Sequence, residues 1–257
     1  MADWDPTTYL QFADERSRPF LELTARVAAP APATVVDLGC GPGRLTAGLA
    51  TRWPTASIEG IDSSAAMIEA AEEYASDQVR FRLADIADWR PDRAVDVIVS
   101  NATLQWVSGH RDLLPLLVAS LADGGELAFQ VPGNFGEPSH VLLHELAADP
   151  RFAASTRGLP RPEAFDAATY LADLAALGCR VDAWETTYLH VLPGPDPVFR
   201  WISGTGARPV LQALPDAARE EFVAEYKEQL RDAYPEQPFG TVLPFRRIFV
   251  VAQREVS

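Results

Sequence analysis

The sequence contains little lysine, cysteine and histidine. Of its 22 basic residues only Lys227 is a lysine, and 36 acidic residues give the chain a net charge of −14. A general nucleic-acid binder needs a basic surface, so this balance excludes that class of function. Two cysteines in 257 residues do not make a disulfide framework and indicate a reducing compartment. The four histidines are spread along the chain and indicate no catalytic base.

Long apolar runs are missing as well. No stretch approaches the roughly 20 residues that span a membrane, and the acidic N-terminus has neither the basic nor the apolar region of a signal peptide. We therefore expect a cytoplasmic protein without a membrane partner. A metal site is not expected either. His140 and His144 are four residues apart, but Val141 stands where an H-E-x-x-H helix has its glutamate.

One glycine-rich segment, VVDLGCGPGR at residues 35–44, is the most informative part of the chain. An apolar strand with Asp37 near its end leads into glycines 39, 41 and 43, and a helical pattern begins at Leu45. The three glycines are expected to bring a ligand close to the backbone, because none carries a Cβ. Free N–H groups and the helix dipole suit a ligand with polar or anionic ends. A dinucleotide turn reads G-x-G-x-x-G, but Arg44 occupies the place of its third glycine.

Two further acids follow the ends of predicted strands. Asp62 ends the second strand, where a carboxylate is placed to accept both hydroxyls of a ribose. It could also cap the next helix, as could Ser63 or Ser64. Asp85 follows the third strand, and with Ile86 it suits an adenine: the carboxylate accepts from the amino group while Ile86 covers the ring. A plain loop aspartate is the alternative for Asp85.

The fourth predicted strand ends at Ser100 and Asn101. The carboxyl ends of parallel strands open into the crevice where such sheets bind ligands, so both residues are expected there. Trp106, which follows shortly, is either a wall of the reaction site or a packed core aromatic.

Short apolar strands alternate with helical segments in the first half of the chain. This pattern predicts an α/β protein with a mostly parallel sheet and helices on both faces. Strands are predicted at 34–38, 57–61, 79–83, 95–100 and 126–131, and helices at 45–52, 65–74 and 111–121. Later predictions are a helix at 139–148, a Pro/Arg/Gly stretch to 162, a helix at 166–177, a strand at 180–192, proline-broken helices at 193–239 and a last strand at 247–253.

The pattern G-x-G-x-G, with Asp37 two residues ahead of it, resembles motif I of the class I methyltransferases. The order of elements over residues 34–131 resembles their whole core. The resemblance implies a Rossmann-like sheet, S-adenosyl-L-methionine as cofactor and S-adenosyl-L-homocysteine as product. In that family the acid of motif I helps to hold the amino acid end of the cofactor. The cofactor-binding residues it implies are Tyr9, Arg16, Asp37, Gly39, Cys40, Gly41, Gly43, Asp62, Ser63, Met67, Asp85, Ile86, Asn101 and Trp106. Cys40 is also interpreted as a small filler residue of the turn.

On this basis residues 1–257 are expected to form a single methyltransferase domain. We predict an N-terminal helical cap at 1–30, a cofactor-binding core at 31–131 and a substrate-side half at 132–257. The last strand is expected to be antiparallel, and a helical lid at about 193–239 is expected to precede it.

Motifs at both chain ends and in the second half resemble those of trans-aconitate 2-methyltransferases. They are DWDPxxYLxF and ERSRP within residues 3–19, SNATLQW at 100–106, TTYLH at 186–190, WIxxTGxRP at 201–209 and FxRxFxVA at 245–252. That family esterifies one carboxylate of a small tricarboxylate. The resemblance therefore implies a carboxyl O-methyltransferase whose partner is trans-aconitate or a close polycarboxylate.

Fixed cations are needed to hold the carboxylates that do not react. The candidate substrate-binding residues are Arg18, Tyr188, His190, Trp201, Arg208 and Arg247. Arg16 is an alternative to Arg18, although Tyr9 and Arg16 could instead close over the methionine carboxylate. Strand alternation points Arg246 and Arg247 to opposite faces, and the resemblance favours Arg247.

No catalytic acid or base is expected, because a carboxylate is ionised at neutral pH and attacks the sulfonium methyl group directly. Trp106 and Tyr188 are candidates to line the reaction site. Two other functions stay open: a malonyl-carrier-protein carboxyl methyltransferase, which the charge of −14 disfavours, and a non-catalytic S-adenosylmethionine-binding protein. A monomer or weak homo-oligomer is expected.

Overall fold

The computed structural model describes residues 13–256, with the side chains of residues 17–256. The described chain divides into two compact units. We call residues 13–131, 165–186 and 247–256 the sheet unit, and residues 132–164 and 187–246 the helical unit. The single domain predicted for residues 1–257, with its cap, core and lid, stays a prediction.

An eight-stranded mixed sheet organises the chain. Its strands are β1 Thr34–Leu38, β2 Ser57–Asp62, β3 Val79–Leu83, β4 Val95–Asn101, β5 Leu121–Pro132, β6 Cys179–Leu192, β7 Glu236–Gln237 and β8 Gly240–Arg254. The strand order is β3-β2-β1-β4-β5-β8-β6, and β7 pairs with β8. The pairs along β3-β2-β1-β4-β5 are parallel, and β7 runs antiparallel to β8. The predicted fold class is confirmed: a mostly parallel α/β sheet with antiparallel last strands.

Helices connect these strands. Their bounds are α1 Ala13–Ala25, α2 Arg44–Arg52, α3 Ala65–Ala71, α4 Leu114–Ala119, α5 Pro138–Ala147, α6 Ala153–Thr156, α7 Ala167–Ala176, α8 Pro197–Ser203, α9 Arg208–Ala213 and α10 Asp216–Ala233. Short 3₁₀ turns cover Glu72–Tyr74, Leu104–Trp106 and His110–Leu113. Within residues 13–256, no helix is long and apolar enough to cross a membrane.

The central strands are buried on both faces, which explains their unbroken apolar pattern. In β4, Val97, Ile98 and Val99 have no exposed surface. Parallel strands covered on both faces are expected to lose the alternation of polar and apolar residues. Register pairs Asp37 with Gly60 on β2 and with Val99 on β4, so the acid of the glycine-rich segment lies in the middle of the sheet.

Prolines explain where several helices begin. The helix predicted at 111–121 starts as a 3₁₀ turn and becomes α4 only at Leu114, because Pro115 favours the first turn of an α-helix. Pro197 and Pro209 likewise stand in the first turns of α8 and α9. The last strand was predicted from residue 247 but begins at Gly240, since the hairpin with β7 pairs Thr241 with Glu236.

Candidate functional site

The glycine-rich turn joins β1 to α2 in the sheet unit. Gly39, Gly41 and Gly43 have φ values of +82°, +55° and +81°, a region that L side chains rarely adopt. The amides of Gly39 and Cys40 donate to the Ile61 carbonyl at 2.7 and 3.0 Å, which ties the turn to the end of β2. The sequence therefore needs glycine here for its backbone conformation.

The three glycines differ in what surrounds them. A Cβ at Gly39 would lie 2.1 Å from Thr103 Oγ1, and a Cβ at Gly43 would lie 2.7 Å from Ala71 Cβ. A Cβ at Gly41 would meet nothing within 4 Å. Gly39 and Gly43 are therefore glycine because protein atoms pack where a Cβ would stand, and only Gly41 of the three has open space there. The prediction that all three glycines contact a ligand stays a prediction.

This difference predicts separable effects of two matched substitutions. Gly39→Ala is expected to lower the free energy of unfolding by about 2–5 kcal/mol, because overpacking of its methyl group against Thr103 costs about 1–3 kcal/mol and the strain of its positive φ adds about 1–2 kcal/mol. Gly41→Ala carries only the strain of its positive φ, about 1–2 kcal/mol, but its methyl group fills the open face of the turn. Denaturant unfolding and calorimetric cofactor titration of both variants test this. Equal stability losses with equal cofactor affinities would contradict it.

Two carboxylates flank the turn. Asp37 is buried, and Thr46 Oγ1 of α2 donates to its Oδ2 at 2.6 Å. Asp62 accepts from the Gly41 amide at 3.0 Å through Oδ2 and from the Ser64 amide at 2.8 Å through Oδ1. The helix cap is Ser64, whose Oγ accepts from the Met67 amide at 3.4 Å. Asp62 therefore supports the turn and leaves the capping of α3 to its neighbour.

Burial raises the pKa of both acids. For Asp37 burial is the largest cause, the hydrogen bond from Thr46 opposes it, and the charge of Asp62 adds to it, giving a pKa of about 7. For Asp62 burial outweighs the hydrogen bonds from Ser64, Gly41 and Ser63, so its pKa is raised as well. Two carboxylates of raised pKa beside an open backbone turn favour a ligand that brings positive charge or hydroxyl donors.

The carboxyl ends of β4 and β5 add polar groups. Ser100 Oγ donates to the Leu38 carbonyl at 2.8 Å and binds β4 to β1. Asn101 lies in register with Gln130 of β5, and Asn101 Oδ1 and Gln130 Nε2 are both buried without a hydrogen-bond partner among the described residues. Ala102, the next residue, has a φ of +54°, which is unusual for a non-glycine. Two neighbouring strand ends thus carry an unpaired acceptor and an unpaired donor, and such buried unpaired groups mark a candidate ligand site.

Arg247 of β8 lies in the same unit. It is only 5% exposed, and its Nη1 donates to Gln130 Oε1 at 3.2 Å. Arg246 has a different partner, the Gly133 carbonyl at 3.4 Å in the helical unit. The sequence missed Gln130 and Thr46. A polar residue near the end of the apolar strand Leu127–Val131 was the available signal for Gln130.

The other predicted cofactor residues occupy varied surroundings in the sheet unit. Asp85 is exposed and accepts from the Ala87 amide at 2.9 Å, while Ile86 is buried. Trp106 is half-buried in its 3₁₀ turn. Ser63 is exposed and Met67 is buried.

Cys40 behaves as the small filler that was predicted. It is buried, and a Cβ on Gly60 would approach Cys40 Cβ to 2.9 Å. Burial, followed by the charges of Asp37 and Asp62, raises the pKa of the Cys40 thiol, so it stays protonated. A residue with a Cβ at position 60 of β2 would therefore collide with Cys40.

Three predicted substrate residues come together in the helical unit. The His190 ring lies 4.6 Å from Trp201 and 6.0 Å from Tyr188, between centroids, and Phe245 lies 5.7 Å from Trp201. Tyr188 and Trp201 are buried. These rings form one packed aromatic cluster.

The remaining predicted residues are placed separately. Arg208 is half-buried at the start of α9 in the helical unit. Arg18 is exposed on α1, where its Nε lies 2.8 Å from Glu22 Oε1. Tyr9 lies outside the described residues. Arg16 lies in α1, but its side chain is outside the described part of the chain.

Comparisons with known proteins agree with this architecture. A family described as a methyltransferase domain matches residues 35–125. A geranyl diphosphate C-methyltransferase from Streptomyces coelicolor, solved in complex with Mg²⁺, geranyl diphosphate and S-adenosyl-L-homocysteine, shares the fold. Its TM-score is 0.53 at 19% identity, over 96% of this chain and 82% of that one.

Two curated relatives are much more similar in sequence. The trans-aconitate 2-methyltransferase of Streptomyces avermitilis is 52% identical over 261 residues, 98% of this chain and 97% of its own. The trans-aconitate 2-methyltransferase of Rhodococcus jostii is 50% identical over 254 residues, 97% of this chain and 99% of its own. The chain therefore belongs to the trans-aconitate 2-methyltransferase family.

Proposed function

We propose that the protein is an S-adenosyl-L-methionine-dependent methyltransferase that esterifies one carboxylate of trans-aconitate or a similar small polycarboxylate. The observation that carries this proposal is sequence identity. About half of the residues are identical to those of two trans-aconitate 2-methyltransferases, over almost the whole chain. The sheet unit supports it independently, because its open turn at Gly41 lies between two carboxylates at adjacent strand ends.

The described residues fit this cofactor. Gly41 leaves the backbone of the turn accessible, and the unpaired Asn101 Oδ1 is an acceptor for the ammonium of the methionine end. Asp37 lies near the carboxyl end of β1, which pairs with β4, the strand that ends at Asn101. Its carboxylate brings negative charge to that ammonium. Asp62 accepts hydrogen bonds from the ribose hydroxyls. Asp85 accepts from the amino group of the adenine, and Ile86 covers its ring. When bound, S-adenosyl-L-methionine supplies a methyl group on a sulfonium, which is electrophilic without further activation.

The chain's own task is positioning. The acceptor carboxylate is ionised at neutral pH, so no side chain has to remove a proton. Arg247 is proposed to hold a non-reacting carboxylate, and the buried amide of Gln130 fixes the guanidinium through its 3.2 Å hydrogen bond. Holding oxygen, methyl carbon and sulfur in line can lower the barrier by about 7–11 kcal/mol. The aromatic cluster of Tyr188, His190 and Trp201 is proposed to shape the acceptor side.

Calorimetry and a transfer assay test this function together. S-adenosyl-L-methionine should bind one molecule per chain, and labelled methyl should transfer to trans-aconitate faster than to other di- and tricarboxylates. A malonylated carrier protein serves as the competing acceptor. Cofactor binding without transfer to any acid would contradict the enzyme proposal and indicate a non-catalytic binding protein. The cytoplasmic location and the monomeric or weakly oligomeric state stay predictions.

The raised pKa of Asp37 predicts a pH-dependent cofactor affinity. The ammonium of the cofactor binds the ionised acid, so affinity should rise with pH until Asp37, with a pKa of about 7, is deprotonated. The dissociation constant is expected to fall at least about tenfold between about pH 5.5 and about pH 7, since each pH unit below the pKa changes the ionised fraction about tenfold. Asp37→Asn should bind weakly with little pH dependence. A wild-type affinity that is flat over this range would contradict the assignment.

A further inference from the structure

A cavity in the helical unit has none of the residues assigned so far in its lining, although Arg208 stands between its lining residues Gly206 and Pro209. It has a volume of about 310 Å³ and is lined by the C-terminal half of α5, by α6, by the segment 157–162 and by Gly206, Pro209 and Val210. This volume is at the small end of the about 300–1,000 Å³ range of small-molecule sites. It therefore fits a metabolite-sized ligand and not a polymer segment.

Two arginines on the cavity lining are not neutralised. Arg157 and Arg161 are exposed, and neither guanidinium has a hydrogen bond or ion pair with any residue in the described part of the chain. Arg151, nearby in sequence, shows the contrast: its guanidinium lies 2.9 Å from Asp149 and 2.7 Å from Glu221. In a chain with a net charge of −14, two unpaired cations four residues apart create a local positive site.

The remaining lining defines the ligand further. His144 is half-buried on the cavity wall, and burial together with the charge of Arg161 lowers its pKa. Its neutral imidazole offers one donor and one acceptor. Ala147, Ala153 and Val210 form apolar surface beside these groups. The combination suits an anion with carboxylates at more than one end of a short carbon skeleton.

We propose that this cavity binds a small polycarboxylate, with Arg157 and Arg161 each holding a carboxylate and the apolar wall contacting the carbon skeleton. Planar guanidinium groups match carboxylates bidentately, as they also match phosphates. The choice of polycarboxylate rests on the proposed function. Because Arg247 of the sheet unit is proposed to hold the methyl acceptor, the molecule in this cavity is a second polycarboxylate that acts as an effector.

The test uses the full chain saturated with S-adenosyl-L-homocysteine and titrates trans-aconitate by calorimetry. Arg157→Gln and Arg161→Gln should each weaken binding about tenfold, and the double variant about a hundredfold, because each removes a charged hydrogen bond. Added salt should weaken wild-type binding more than binding to the double variant. Arg93→Gln, which removes an exposed arginine of the sheet unit, should leave binding unchanged. An unchanged affinity for S-adenosyl-L-homocysteine reports correct folding.

Kinetics separate this cavity from the acceptor site. The double variant is expected to lose one of two titrated sites and to keep its KM for the acceptor. A raised KM with a nearly unchanged kcat would overturn the proposal, because the cavity would then hold the acceptor itself. Equal affinity and stoichiometry in the wild type and the double variant would overturn it, as would a wild type that binds none of trans-aconitate, citrate and tricarballylate. Failure of the proposed function looks different, because the wild type would then bind the acid without methylating it.

Discussion

Asp62→Ala is expected to raise the dissociation constant for S-adenosyl-L-methionine at least about 100-fold. The proposed ribose contact comprises two hydrogen bonds to a carboxylate, each of about 1.5–3 kcal/mol, and about 1.4 kcal/mol corresponds to a tenfold change. The same carboxylate accepts from the Gly41 amide at 3.0 Å, so its removal also releases the one part of the turn that faces open space. Ligand contact and turn geometry are therefore lost together.

Three further variants separate these two contributions. Asp62→Asn keeps an acceptor for one backbone amide but exchanges the other carboxylate oxygen for a donor, so the turn should be largely preserved while the cofactor still binds weakly. Asp85→Ala removes an exposed acid with a single proposed adenine contact, and about a tenfold loss is expected. Asp88→Ala, an exposed acid three residues further on, should change nothing. A cofactor affinity within a few-fold of the wild type in Asp62→Ala would exclude the ribose assignment.

The positions of the candidate cofactor residues in the fold were largely predictable from the sequence, because these residues are close together along the chain or stand at strand ends. Asp37, Asp62 and Asn101 each end or nearly end a parallel strand, and parallel strands present their carboxyl ends at one edge. The local pattern does not show what packs against each glycine. Whether a missing Cβ faces a ligand or Thr103 depends on a residue 64 positions away, which no local pattern contains.

The surroundings of the candidate acceptor residues were less predictable, because they too depend on contacts between residues that are distant in the sequence. Gln130 and Arg247 are 117 residues apart, and only the placement of β8 beside β5 joins them. From the sequence, the stretch at 157–162 could be described only as an irregular segment rich in Pro, Arg and Gly, with no predicted function. Its arginines become candidate ligand-binding residues only because they line the cavity that α5, α6 and the start of α9 also line. Charge patterns identify candidate cations, but burial and ion pairing decide which of them are available to a ligand.

Arg247→Ala should raise the KM for the polycarboxylate by about 10²–10³-fold and leave the cofactor dissociation constant nearly unchanged. Truncating one partner of a buried charge pair costs about 2–5 kcal/mol. Arg247 is 5% exposed, so its guanidinium would hold a substrate carboxylate away from competing water. Arg246→Ala is the matched control, because the guanidinium of Arg246 donates to the Gly133 carbonyl. This variant should change the KM only a few-fold.

Because alanine at a buried position can disturb folding, Gln130→Glu is the more informative variant. It is nearly isosteric with the native residue and places a carboxylate at the 3.2 Å distance that now separates Gln130 Oε1 from Arg247 Nη1. The new acid would neutralise the arginine and repel the acceptor, so the KM should rise as much as in Arg247→Ala. Gln130→Leu removes the hydrogen bond but leaves the positive charge, and a rise of only about tenfold is expected. If Gln130→Glu and Gln130→Leu have equal KM values, Arg247 does not bind the acceptor.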